Sequence, residues 1–287
     1  MTQPLRAPFP YFGGKSRAAA LVWSRFGDVA NYIEPFAGSL AVLLARPHAP
    51  RAETVNDKNC YLSNFWRALA ADPAEVARWA DWPVSEIDLR ARHRWLLGRE
   101  EFREAMRLDP HHYDAKIAGW WVWGANCAIA EVWNRESPQT RCATRQGGGP
   151  PDPEDLKRLA ARLKSVRVLC GDWRRAVTDA RLGPDASETG ILLDPPYDAG
   201  DGKIYGGGNA GLSSEVRAWA IEHGEHRRYR IALCGYEGEH AMPASWECVA
   251  WKAAGGFANR NSENLNKHRE RIWFSPGCLR AQQGSLF

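Results

Sequence analysis

Four short strand-like segments of this chain each run into an acidic residue, and helix-prone stretches separate them. The segments are Tyr32-Ile33 into Glu34-Pro35, Glu53 to Asn56 into Asp57, Val166 to Cys170 into Gly171-Asp172, and Ile191-Leu192-Leu193 into Asp194-Pro195. Segments of this length, bounded by turn residues and alternating with helices, predict parallel strands joined by crossover helices. Such a sheet is open, and its ligands sit outside the carboxyl ends of the strands. Acids converging on that edge suit a ligand with hydroxyls, amines and positive charge. Arg230 to Cys234, Ser245 to Trp251 and Arg271 to Phe274 read as the last strands. The fold class is therefore α/β, with a Rossmann-like sheet.

Residues 73–153 interrupt this rhythm. Pro73 to Tyr113 is helical in pattern with breaks at Pro83, Gly98 and Pro110; Ala115 to Val132 is a strongly apolar helix; Asn134 to Pro153 is polar and rich in glycine and proline. The chain divides into a discontinuous main domain (1–72 and 154–280), a helical insert (73–153) and a tail (281–287). Its 287 residues suffice for one large α/β domain with such an insert. There is no apolar run long enough to span a membrane and no secretory signal, so a cytoplasmic location is expected. Seven scattered cysteines without a C-x-x-C pair indicate neither zinc nor a disulfide framework. No other cluster of metal ligands stands out.

Net charge is +4, which permits nucleic-acid binding without requiring it. Arg90, Arg92, His93, Arg94, Arg99, Arg103 and Arg107 are offset by Glu100, Glu101 and Glu104 and read as a solvated helix face. Arg135, Arg141 and Arg145 have only Glu136 near them and read as a phosphate-contacting loop; an ordinary connector is the alternative. Most of the fourteen Trp are expected to pack between helices.

The tetrapeptide Asp194-Pro195-Pro196-Tyr197 carries the chemistry. Its prolines hold the backbone rigid. Asp194 and the Pro195 carbonyl can accept both N–H bonds of an exocyclic amine, and Tyr197 can stack on the ring that bears it. An ordinary strand-ending turn is the plainer reading. Asp57 likewise has two readings, ribose binding at the end of a second strand or capping of the helix after it.

In order, Phe12-Gly13-Gly14-Lys15, Glu34-Pro35-Phe36-Ala37-Gly38, Asn56-Asp57-Lys58-Asn59, Gly171-Asp172 and Asp194-Pro195-Pro196-Tyr197 resemble the motifs of the Dam-like, alpha-group N6-adenine DNA methyltransferases of bacteria and phages. The resemblance covers most of the chain outside the insert and the extreme C-terminus. It implies an S-adenosylmethionine-dependent methyltransferase fold with a helical target-recognition insert, acting on a flipped adenine in double-stranded DNA. Tyr11 and Lys15 match the loop closing over the methyl donor; Glu34, Pro35, Phe36, Gly38 and Ser39 match the loop around its methionine part. Asp57 matches the ribose acid, and Asp172 the turn beside the donor's adenine. Asp194, Pro195 and Tyr197 match the grip on the target base, with Asp194 also near the donor. The methyl donor is then the one cofactor implied, with no metal. Leu40 departs from the pattern, which usually has glycine there, and a side chain at that point is expected to narrow the room beside the donor. An N4-cytosine methyltransferase or a catalytically silent DNA-binding relative are the alternatives, and either a monomer or a homodimer would serve on DNA. The terminal Gln283-Gly284-Ser285-Leu286-Phe287 resembles a sliding-clamp peptide, with Gln283, Leu286 and Phe287 as its contacts; a solvated tail is the alternative.

Overall fold

The computed structural model describes residues 4–9, 11, 15–128, 151–183, 187–197, 211–251 and 269–280. All seven expected strands form: β1 (Asn31–Glu34), β2 (Ala52–Asp57), β3 (Val166–Cys170), β4 (Thr189–Leu193), β5 (Tyr229–Tyr236), β6 (Glu247–Ala250) and β7 (Glu270–Phe274). They make one sheet in the order β3-β2-β1-β4-β5-β7-β6. The first five are parallel, and β7 runs antiparallel to both β5 and β6.

Period-two alternation sends side chains to two cores. Tyr32, Val55, Leu192, Ala232, Cys234, Ile272 and Phe274 join one, while Ile33, Leu169, Ile191, Leu193, Ile231, Leu233 and Trp273 join the other. Both faces of the sheet are thus covered, which is why β1 and β4 are buried at every position. Gly190 in β4 is required by close approach, since a Cβ there would lie 2.9 Å from the Phe26 ring.

Ten helices surround the sheet among the described residues: α1 (Ala19–Phe26), α2 (Ala41–Leu44), α3 (Cys60–Ala71), α4 (Pro73–Ala80), α5 (Glu86–Leu97), α6 (Glu100–Leu108), α7 (Ala115–Cys127), α8 (Pro153–Leu163), α9 (Asp179–Leu182) and α10 (Leu212–Gly224). Their starts follow ordinary capping chemistry. Asp72, Ser85, Asp114 and Asp152 each accept a backbone N–H of the helix that follows, and Pro73 and Pro153 open α4 and α8. Helices α4 to α7 lie in the expected insert, yet they share the larger core with α3 and α8. Asn64 of α3, fully buried, donates to the Asp114 carbonyl at 2.8 Å and accepts from the Asp114 amide at 2.7 Å, at the very cap of α7. Arg67 of α3 gathers the carbonyls of Val168, Met106, Asp109 and His112 at 3.0–3.2 Å, tying β3 to the end of α6.

The arginine-rich stretch departs from expectation in part. Arg90 pairs with Glu86 across one helical turn, as a solvated face would. Arg92 and His93 are buried instead. The Arg92 guanidinium lies 4.4–4.8 Å from the ring centres of Trp82, Trp120 and Trp123, so π faces take the place of water around its charge. No helix among the described residues is long and apolar enough to cross a membrane. The six described cysteines are free. Cys60 and Cys170, 110 positions apart, nevertheless bring their sulfurs to 3.5 Å.

Candidate active site

The strand order reverses between β1 and β4, and that crevice is where ligands of open α/β sheets bind. Glu34 ends β1, Asp57 ends β2, and Asp194 follows β4 directly. Asp57 is in register with Cys170, so Gly171-Asp172 continues from the same level. The four acids expected to converge therefore share one edge.

Asp57 does not cap α3. Asn59 does, accepting from the amides of Tyr61 and Leu62. The Asp57 carboxylate instead accepts from the amide of Gly38 at 3.0 Å and that of Asn59 at 2.8 Å, which fastens the loop after β1 to the end of β2. Each oxygen keeps a further lone pair for a ligand hydroxyl. Burial holds this carboxyl above its usual range despite those two N–H bonds. Asn56 strengthens the junction by donating to the carbonyls of Pro35 and Gly171 at 3.0 and 3.1 Å.

The loop from Pro35 to Leu40 is a tight turn. Gly38 has φ +48°, and a Cβ on it would lie 2.7 Å from the Tyr11 ring, so Tyr11 packs where only glycine leaves space. Phe36 stacks on Trp173, with ring centres 6.2 Å apart, and Ser39 is half-buried beside it in the chain. Leu40 also takes the left-handed conformation, at φ 56°, which accounts for the glycine the family pattern has there. Contrary to expectation, its side chain belongs to the hydrophobic core and is fully buried. Asp172 is the outlying acid: it is exposed, caps the turn Trp173–Ala176 and pairs with Arg174 at 3.2 Å.

At the other side of the crevice Lys15, itself buried, places Nζ 2.9 Å from Asp194 Oδ1. Burial works against its charge. The Asp194 carboxylate, with Cys234 and Glu270 close by, outweighs that cost and holds the ammonium above an ordinary lysine. The Tyr197 hydroxyl lies 3.1 Å from the same Oδ1 and 3.1 Å from Glu270 Oε2. Burial, then the Asp194 charge, keeps its proton bound well beyond the usual phenol range. The Tyr197 ring meets Tyr236 edge-on at 4.6 Å. Lys15 also lies 5.3 Å from the centre of the Tyr197 ring and 5.5 Å from that of Trp251. Among the described residues nothing engages Asp194 Oδ2.

Glu34 is buried and accepts from the Tyr32 hydroxyl at 3.1 Å. Burial pushes its carboxyl up to about 8; the Tyr32 bond offsets this only in part, and Asp194 and Asp57 add negative charge nearby. Three carboxyl groups at one strand edge, one of them balanced by Lys15 and two raised by burial, form a set that a bound cation bearing hydroxyls would favour in ionised form.

Glu270 and Trp251 had no sequence signal: both lie far along the chain from the motifs, and only the antiparallel β7 brings them in. Phe12, Gly13, Gly14, Arg135, Arg141, Arg145, Gln283, Leu286 and Phe287 lie outside the described residues. No curated protein matches the chain. Residues 11–206, a span holding every strand-end acid and the Asp194-Pro195-Pro196-Tyr197 turn, match the D12 class N6 adenine-specific DNA methyltransferase family. The chain belongs to that family, and is an S-adenosylmethionine-dependent enzyme that methylates adenine in DNA.

Proposed function

We propose that the crevice between β1 and β4 holds the methyl donor beside an adenine flipped out of double-stranded DNA. S-adenosylmethionine supplies an electrophilic methyl group on a sulfonium. Glu34, Pro35, Phe36, Gly38 and Ser39 surround its methionine end, Asp57 takes the ribose hydroxyls, and Asp172 flanks its adenine. Tyr11 and Lys15 close the site from the N-terminal side. The raised carboxyl of Glu34, with no cation among its described partners, supports this reading.

The observation that carries the base grip is the division of labour at Asp194. Oδ1 is held by Lys15 and faces Tyr197, while Oδ2 is left for an N–H of the target amine. The Pro195 carbonyl accepts the second N–H, and the Tyr197 ring stacks on the base. An adenine amine is a poor nucleophile because its lone pair is delocalised into the ring. Two acceptors on its hydrogens draw that pair out of conjugation toward the electrophile, and fixed positions supply the rest of the advantage. Asp194 need not be a strong base, since the amine proton acidifies as the new C–N bond forms.

Residues 73–153 are proposed to read the target sequence, with Arg135, Arg141 and Arg145 on phosphates. The tail through Gln283, Leu286 and Phe287 is proposed to engage a sliding clamp, which a pull-down with and without Leu286-Phe287 tests. The deciding experiment for the site is transfer of labelled methyl to unmethylated duplex plasmid, followed by nucleoside analysis. N6-methyladenine is expected from the wild type. Asp194→Ala is expected to lose transfer while keeping its fold and most of its donor affinity. Wild-type turnover in that variant would sink the assignment.

A further inference from the structure

Glu270 is the first residue of an antiparallel strand, so it opens β7 at the edge where the parallel strands end. It is directly in register with Tyr236, the last residue of β5. Those two neighbours hold Tyr197 from different directions: Tyr236 meets the ring edge-on, and Glu270 Oε2 lies 3.1 Å from the hydroxyl. The main chain of Glu270 is fixed as well, its carbonyl accepting from the Trp251 amide at 3.3 Å and from Arg271 at 3.0 Å.

The Tyr197 hydroxyl is equidistant from two carboxylates, and a phenol has one proton to donate. It cannot serve both at once. Asp194 Oδ1 already receives the Lys15 ammonium at 2.9 Å, and a phenolic proton given to Glu270 Oε2 leaves that ion pair undisturbed. Burying a carboxylate costs free energy unless it is hydrogen-bonded, and the Tyr197 hydroxyl is a partner that reduces this cost. Two consequences follow. The ring of Tyr197 is fixed at its far end, which sets the plane a base would stack on. The hydroxyl is also drawn away from Asp194, whose negative charge is then left for the target amine.

We propose that Glu270 is a positioning residue for methyl transfer, acting through the Tyr197 hydroxyl to fix the stacking plane and to keep Asp194 a strong acceptor. The inference rests on the reading of Asp194 and Tyr197 as the base grip.

The test is a double-mutant cycle on labelled-methyl transfer to unmethylated plasmid, with donor affinity measured separately by calorimetry using S-adenosylhomocysteine. Glu270→Ala is expected to lower kcat by about ten- to a hundredfold, the scale of a misplaced reacting group, with donor affinity changed less than about twofold. Glu270→Leu makes the same comparison while filling the volume, should the smaller side chain compromise folding. Glu270→Gln keeps an acceptor oxygen and is expected to recover to within roughly threefold of wild type. On a Tyr197→Phe background, Glu270→Ala is expected to have no further effect, because the hydroxyl it acts through is gone. A wild-type kcat in both Glu270→Ala and Glu270→Leu, a Gln variant as slow as Ala, or losses that multiply with Tyr197→Phe would each overturn the proposal. A wild-type chain that methylates no adenine would sink the base-grip reading itself, and this outcome is distinct from active wild type with unaffected variants.

Discussion

Leu40 sets backbone against side chain. Its left-handed φ of 56° costs a non-glycine residue about 1–2 kcal/mol, while full burial of a leucine is worth more, about 2–5 kcal/mol by truncation. Burial wins, so leucine is kept where the family pattern has glycine. Leu40 is the N-cap of α2, and truncation there should favour glycine over alanine. Leu40→Ala loses the packing and keeps the backbone cost; Leu40→Gly loses the packing but relieves it. Urea denaturation is expected to find both variants destabilised, with Gly the more stable of the two by roughly 1 kcal/mol. Glu34 makes a pH-dependent counterpart. Its carboxyl is raised from 4.5 to about 8 in the folded chain, so the folded state holds a proton that the unfolded chain releases. Its contribution to stability is complete below pH 4.5 and is lost as pH rises toward 8. Asp57, shifted in the same direction, adds to that slope. Glu34→Gln is expected to flatten the fall in urea midpoint between pH 5 and 8. In the proposed donor site, S-adenosylmethionine affinity should strengthen from pH 6 to 8 in the wild type and change less in the variant. Parallel slopes in the two proteins would remove Glu34 from the account.

At the scale of elements, α4 and α7 cross as closely as backbones allow. A Cβ on Gly119 would lie 2.3 Å from Trp79 Cβ and 2.8 Å from the main chain of Trp79 and Val76, none of which can rotate away. Gly119→Ala is therefore expected to cost about 1–3 kcal/mol by overpacking, although alanine is the better helix former. A melting temperature at or above wild type would contradict the crossing. The elements differ in how far the sequence announced them. Most of the seven strands were legible as apolar runs with turn residues at their ends, while the largely polar β2 was legible from its place between helices and its closing acid. The helix after Thr178 is a single short turn, and Lys15 to Arg17 forms a separate 3-10 turn before α1, since local pattern alone does not resolve such short pieces. Arg92 was misread as solvated because a charge run carries no mark of three tryptophans arriving from α7 and the loop before α5. Among the residues the fold brings to the crevice, the strand-end acids and Lys15 were legible by type and order. Glu270 was not, because its place depends on the antiparallel register of β7, which sequence does not encode locally.

For the molecule as a whole, the two edges of the sheet are built on different terms. At the edge away from the site, Glu53 is fully buried and takes Arg46 at 3.1 Å and both terminal nitrogens of Arg162 at 2.6 and 2.7 Å, so its charge is fully matched. At the site edge the acids outnumber the described cations beside them, and the imbalance is what a cationic ligand would complete. A continuous aromatic path links the helical segment to this edge. Phe9 packs on Phe65, Trp66 and Trp121 with ring centres 5.0–5.6 Å apart, and Asn126 of α7 donates to the Pro8 carbonyl at 2.9 Å. Two residues further on, Tyr11 lies over Gly38. The buried Asn64–Asp114 pair has a consequence for how such an enzyme changes its target over evolutionary time. Because the cap of α7 is hydrogen-bonded to a core residue of α3, residues 73–127 are not a cassette that can be exchanged between relatives. A graft would have to bring its own complement to Asn64, Phe65 and Trp66. On the proposed role of residues 73–153 in reading the target, new preferences should therefore arise by side-chain replacement on helices that stay where they are.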